Sequence, residues 1–223
     1  MRASAILIGG LLAAWVWAQQ DSAQVPTTEK RIPGYTYGTA SVPKAPITLA
    51  ELELLKKTVL LGDEDVRYLR MSRKILEPQI EEILDVWYGF VGSNDHLLKY
   101  FTNKSDGKPN ADYLGAVRKR FGQWILDTAA ADFDQKWLDY QFEIGRRHHR
   151  SGKNRTDGVE AVDHIPYRYL PALAIPITTT LKPFLANSGA APEDVEKMHA
   201  AWVKAVTLQT ILWSYPYVRD GDW

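Results

Sequence analysis

The stretch Glu143–Asp157, EIGRRHHRSGKNRTD, sets two of the chain's five histidines, His148 and His149, side by side among basic residues. Imidazole ligates metals, moves protons and titrates near neutrality, so this pair is the first place where chemistry is expected. Adjacent residues on a helix point about 100° apart, so both rings cannot reach one ion from a regular helix. A helical two-histidine zinc site needs a spacing of three or four with a carboxylate nearby, as in H-E-x-x-H, and that pattern does not occur. One inward-facing ring is a different matter. His148 follows Ile144 by four residues and Trp137 by eleven, which sets it on an apolar face, while His149 points towards Arg146, Arg150 and solvent. Two explanations fit an inward imidazole: a core histidine bonded to a backbone carbonyl, or an axial ligand to haem iron in an aromatic-lined helical cavity.

Other candidate residues also admit two explanations each. The run Arg118–Arg120 suits a solvated helix face, or it meets carboxylates of a cofactor. Tyr88 beside Trp87 suits core packing, or it presents a hydroxyl to a ligand. Asn103-Lys-Ser and Asn154-Arg-Thr match the glycosylation sequon, which arises easily by chance. No Gly-rich phosphate loop, nucleophile elbow or dinucleotide fingerprint occurs. Cysteine is absent, which removes disulfides, thiolate metal sites, iron–sulfur clusters and covalent haem attachment. Lys+Arg and Asp+Glu both number 27, so there is no general attraction to nucleic acid or acidic membranes.

The elements that must position these residues are helices. Residues 1–18 stand apart as a signal peptide: Arg2, an apolar run to Trp17, and small residues at Val16 and Ala18 before a cleavage point. Export is therefore expected, with an uncleaved membrane anchor as the alternative. Residues 19–46 are rich in Pro, Gly, Thr and Ser and read as an extended segment, although Ile32, Tyr35 and Tyr37 suit it to wrap onto a domain. Residues 47–223 carry seven helical patterns and essentially no strand. They open at the capping box TLAE (Thr48–Glu51), near Asp63, at Pro78, at Asn110 and after AAADFD. The sixth contains Pro166, Pro171, Pro176 and Pro183 yet keeps Leu170, Leu173, Ile177 and Leu181 in phase. The seventh opens at APED. The class is all-α.

The segments IPGYTYG, EEILDVWYGFVGSNDHLLKYF, YLGAVRKRFGQWILDT, WLDYQFEIGRRHHR, YRYL, EDVEKMHAAW and LWSYPYV closely resemble the protoglobins, single-domain haem proteins related to globin-coupled sensors. The resemblance runs from about Ile32 to Trp223. It implies a globin fold, a helical sandwich around haem, with an extra N-terminal helix and an extended N-terminal segment covering the haem pocket, Tyr35 and Tyr37 included. It implies a b-type haem (heme b) whose iron is held by His148. Trp87, Tyr88, Arg120, Phe121, Ile144, Leu170, Leu173 and Ile177 are the further residues expected to bind the cofactor, and the resemblance implies that Tyr88 donates a hydrogen bond to bound ligand and that Arg120 lies near a propionate. Leu173 stands where relatives carry a bulky aromatic, which implies a wider pocket.

The expected function is reversible binding of the diatomic gases O2, CO and NO, for sensing or transport. The alternative is a haem enzyme that detoxifies NO or peroxide with electrons from a separate reductase. A third possibility, a haemless helical module, is disfavoured by His148, Trp87, Tyr88 and Phe121 occurring together. A homodimer through the last two helices is expected from Trp202, Val203 and Leu208, which place apolar residues on more than one side.

Overall fold

A computed structural model describes residues 32–223, so the leader and the first part of the extended segment lie outside the described residues. Among the described residues eight α-helices follow one another: α1 (Leu49–Thr58), α2 (Asp63–Leu76), α3 (Ile80–Gly92), α4 (Asp95–Leu98), α5 (Ala111–Ala130), α6 (Gln135–His148), α7 (Tyr169–Ala186) and α8 (Pro192–Trp213). Extended pairing among the described residues is limited to two isolated bridges, Thr102 with Pro109 and Asn103 with Ala161. No helix among them is long and apolar enough to cross a membrane.

Local chemistry accounts for most helix starts. Thr48 and Glu51 cap α1 reciprocally: the Thr48 N–H donates to Glu51 Oε2 at 2.7 Å and the Glu51 N–H donates to Thr48 Oγ1 at 3.2 Å. Asn110 accepts from the Tyr113 N–H at the start of α5, and Asp134 accepts from the Trp137 N–H at the start of α6. Pro78 sits in a 3-10 turn (Glu77–Gln79) rather than inside the helix, and α3 begins after it at Ile80. Pro166 likewise precedes α7, and only Pro176 and Pro183 lie in the helix interior. The short α4 and the 3-10 turn that follows it (Lys99–Phe101) occupy a stretch with no helical period, so nothing local announces them.

Helix α8 is the centre of the molecule, with α2, α6 and α7 packed around it. Its buried residues include Met198, Trp202, Val206, Leu208 and Leu212. Polar side chains fix the register of the neighbours. Trp202 Nε1 donates to Ser72 Oγ of α2 at 2.9 Å, Trp124 Nε1 of α5 donates to Gln209 Oε1 at 2.6 Å, and Trp213 Nε1 donates to Gln141 Oε1 of α6 at 2.8 Å. These indoles are buried, so each needs such a partner. The dimer argument is corrected here. Trp202 and Leu208 are fully buried within the protomer because α8 is covered on several sides, and only Val203 of the three is exposed.

Helix α6 approaches the C-terminal end of α8 closely enough that Gly145 has no room for a side chain: a Cβ there would lie 2.8 Å from the Trp213 carbonyl oxygen. Gly145→Ala must push the two backbones apart, at a cost of about 1–3 kcal/mol. Urea unfolding should show that loss, and wild-type stability in the variant would refute the close approach.

Candidate functional site

A cavity of about 220 Å³ lies among the described residues; a single water needs only about 10–15 Å³. It is no packing defect. Its wall is formed by α3, α5, α6, α7, the end of α8 and the loop that follows α6. All nine residues singled out from the sequence line it: Trp87, Tyr88, Arg120, Phe121, Ile144, His148, Leu170, Leu173 and Ile177. Helical phase explains the grouping, since Ile144 and His148 are one turn apart on α6 and Leu170, Leu173 and Ile177 share one face of α7.

His148 is the last residue of α6, and its ring is held on two sides. Nδ1–H donates to the Ile144 carbonyl at 2.8 Å, and the ring stacks on Trp213 with centroids 5.6 Å apart and planes 9° from parallel. Burial pushes its pKa below the ordinary range, and the positive charges of Lys153 and Arg147 add to this against the opposing Ile144 bond. Burial thus favours the neutral imidazole. With the proton fixed on Nδ1, the lone pair lies on Nε2, which has no hydrogen-bond partner among the described residues. A free imidazole lone pair at an apolar cavity is the donor that an axial ligand must provide, and the bonded Nδ1 is the usual orienting contact behind it. No group of three His, Asp or Glu that could hold a bare ion occurs among the described residues. The set thus fits a metal carried within an apolar cofactor.

His149 is part-exposed, but its ring also has aromatic neighbours. As the C-cap that follows α6 it adopts an extended backbone, and its ring meets His164 at 5.2 Å and Tyr217 at 4.9 Å, both edge-on.

Away from His148 the wall is aromatic. Phe121 stacks on Trp124 at 5.2 Å and touches Trp87 at 5.5 Å and Tyr88 at 6.5 Å. Burial raises the Tyr88 pKa, so its phenol stays protonated, and the hydroxyl makes no hydrogen bond to a described residue. It is free to donate into the cavity.

The polar edge is built on charge. Arg120 forms a two-pronged pair with Asp157 (2.9 and 2.7 Å) and also donates to the Pro33 carbonyl at 2.8 Å, with both side chains about one-eighth exposed. Arg147 donates to Glu143, to the Gly34 carbonyl at 2.7 Å and to Thr36 Oγ1 at 2.9 Å. A cofactor carboxylate at this edge would share Arg120 with Asp157 or turn to Arg147. Gly34 is required by this arrangement: its φ is +70°, and a Cβ would lie 2.6 Å from Arg120 Nη1. Tyr35 and Tyr37 do not line the cavity; they pack behind Tyr140, which does.

Sequence reasoning missed Arg147, Asp157, Tyr140 and Lys153. Arg147 and Tyr140 sit at helical positions that could have been followed from His148, whereas Asp157 and Lys153 lie on an irregular loop with no period to reveal them. Lys153 is 4% exposed and donates to the Tyr100 carbonyl, Tyr113 Oη and Asn154 Oδ1, holding that loop to α5 and to the turn after α4.

The protoglobin family model matches residues 48–223. Among solved structures, the globin domain of the Geobacter sulfurreducens globin-coupled sensor is similar in fold, with a TM-score of 0.59 and 16% identity over 75% of this chain and 97% of that one. A comparison with curated proteins gave no match.

Burial lowers the Lys153 pKa from 10.5 to about 8. Below both values the lysine is charged in folded and unfolded chains alike, and the full burial penalty is felt. Between pH 8 and 10.5 the unfolded chain binds more protons, so stability rises with pH through that window. Relative to Lys153→Met, the wild type should gain stability in urea unfolding over this range; parallel pH profiles would show that the lysine is not desolvated.

Proposed function

The chain belongs to the protoglobin family, and from that membership we propose that it holds a b-type haem on His148 and reversibly binds O2, CO or NO. The observation that carries this reading is the His148 ring in the cavity wall, its Nδ1 proton committed to the Ile144 carbonyl and its Nε2 without a hydrogen-bond partner among the described residues. Bound there, a haem supplies an iron with one position filled by the protein and one open to a gas.

The chain's own residues then have separate tasks. The Ile144 carbonyl and the Trp213 ring fix the imidazole plane, so little ring freedom remains to be lost on ligation. Leu170, Leu173, Ile177 and Phe121 exclude water, and Arg120 and Arg147 offer cations to carboxylates at the polar edge. Tyr88 donates its hydroxyl proton to the partially negative end of a diatomic ligand. Leu173 leaves space on α7 that a bulky aromatic would fill.

Haemin added to the full chain should give a sharp Soret band that shifts under CO after reduction, and His148→Ala should lose or alter it. Loose haemin binding unaffected by the substitution would overturn the proposal. A neutral hydrogen bond contributes about 0.5–1.5 kcal/mol, so Tyr88→Phe should speed O2 dissociation roughly two- to tenfold. Unchanged stopped-flow rates would remove Tyr88 from this role.

A further inference from the structure

Three tyrosines lead outward from the cavity wall. Tyr140 of α6 is 4% exposed and lines the cavity. It meets Tyr35 edge-on at 5.5 Å and Tyr37 edge-on at 5.4 Å between centroids, and those two rings stack at 6.3 Å with planes 6° apart. Tyr35 and Tyr37 are half-buried, so the trio spans from the cavity to accessible surface. The Tyr35 hydroxyl donates to Asp127 Oδ2 at 2.9 Å, and Gln123 Nε2 donates to the other carboxylate oxygen at 2.9 Å.

A phenol gives up an electron readily only when its proton leaves too, and a carboxylate within hydrogen-bond distance is the acceptor that this step needs. Burial holds the Asp127 carboxyl above its ordinary range, which makes it a better base for that proton. The molecule has a second aromatic chain, Trp213–Trp124–Trp202, spaced at 5.9 and 6.3 Å. That chain ends on the fully buried Trp202, whose indole donates to a serine, so it offers neither a surface terminus nor a base.

We propose that Tyr140, Tyr35 and Tyr37 form a one-electron relay between the cavity and the surface, with the Tyr35–Asp127 pair as its proton-coupled station. The relay rests on the haem-binding reading, because its oxidant is hydrogen peroxide reduced at the haem. Peroxide takes two electrons and two protons to give two waters. In each pass the Tyr35 O–H bond breaks, one electron moves inward through Tyr140, and the proton moves to Asp127 Oδ2, leaving a neutral phenoxyl. A small one-electron reductant of the ascorbate class returns an electron through Tyr37, and Asp127 returns the proton. Two passes balance one peroxide, whose own protons come from solvent. The relay removes oxidising equivalents that would otherwise attack the cavity wall.

The test begins with the full chain titrated with haemin, which reports the haem reading by itself. The loaded chain is then mixed with equimolar peroxide, freeze-quenched and read by electron paramagnetic resonance. A tyrosyl signal is expected in the wild type, lost in Tyr35→Phe and slower to form in Asp127→Asn, while both variants keep the wild-type Soret band and melting temperature. An undiminished signal in Tyr35→Phe, or no tyrosyl signal in the wild type, overturns the relay. If haemin does not bind, the haem reading fails and the relay, left without an oxidant in the cavity, falls with it; haemin binding with no tyrosyl signal overturns the relay alone.

Discussion

The hydrogen bond from His148 Nδ1 to the Ile144 carbonyl is the interaction on which the site depends. It is a contact within one helix, across one turn, and so needs no help from distant parts of the chain. Its effect is chemical as well as geometric. It assigns the proton to one nitrogen and leaves the other as a lone pair on a ring that lines the cavity. A histidine without that bond could carry either tautomer, and in water it would be part-charged near neutrality. The stacked Trp213 and the close packing at Gly145 do the remaining work by keeping the end of α6 against α8.

Around this ring the protein separates two kinds of surface. The wall is apolar and aromatic, and its indole N–H groups at Trp124 and Trp213 point away into glutamines that satisfy them. Charge is confined to one edge, where Arg120 and Arg147 are spoken for by Asp157, Glu143 and three groups of the segment before α1. A cavity divided in this way suits a flat apolar molecule with acidic groups at one margin. It also explains why both arginines at that edge have local partners, since an unpaired buried charge would cost several kcal/mol.

What could be read in the sequence was whatever repeats or caps. Thr48, Asn110 and Asp134 announce their helices because a cap is a local event. The α6 and α7 faces emerged because 3.6-residue periodicity puts Ile144 with His148 and Leu170 with Leu173 and Ile177. Long-range pairings left no such trace. Arg120 finds Asp157 across 37 positions and Pro33 across 87, and nothing in either stretch encodes the match. The amphipathic rule also misled at Trp202 and Leu208, because a helix covered on several sides is apolar all round without offering a face to another molecule.

The bonds from Arg147 to Gly34 and Thr36 close loops of more than a hundred residues. Closing so long a loop costs entropy that must be spent before the contact returns anything, so such pairings are expected late in folding. The helix-to-helix wall can collapse on nearer contacts while the segment before α1 is still loose. The polar edge is then the last side of the cavity to shut. In that order of assembly the pocket stays open longest beside its arginines, and a guest with acidic groups meets its cations before the strap is drawn across them.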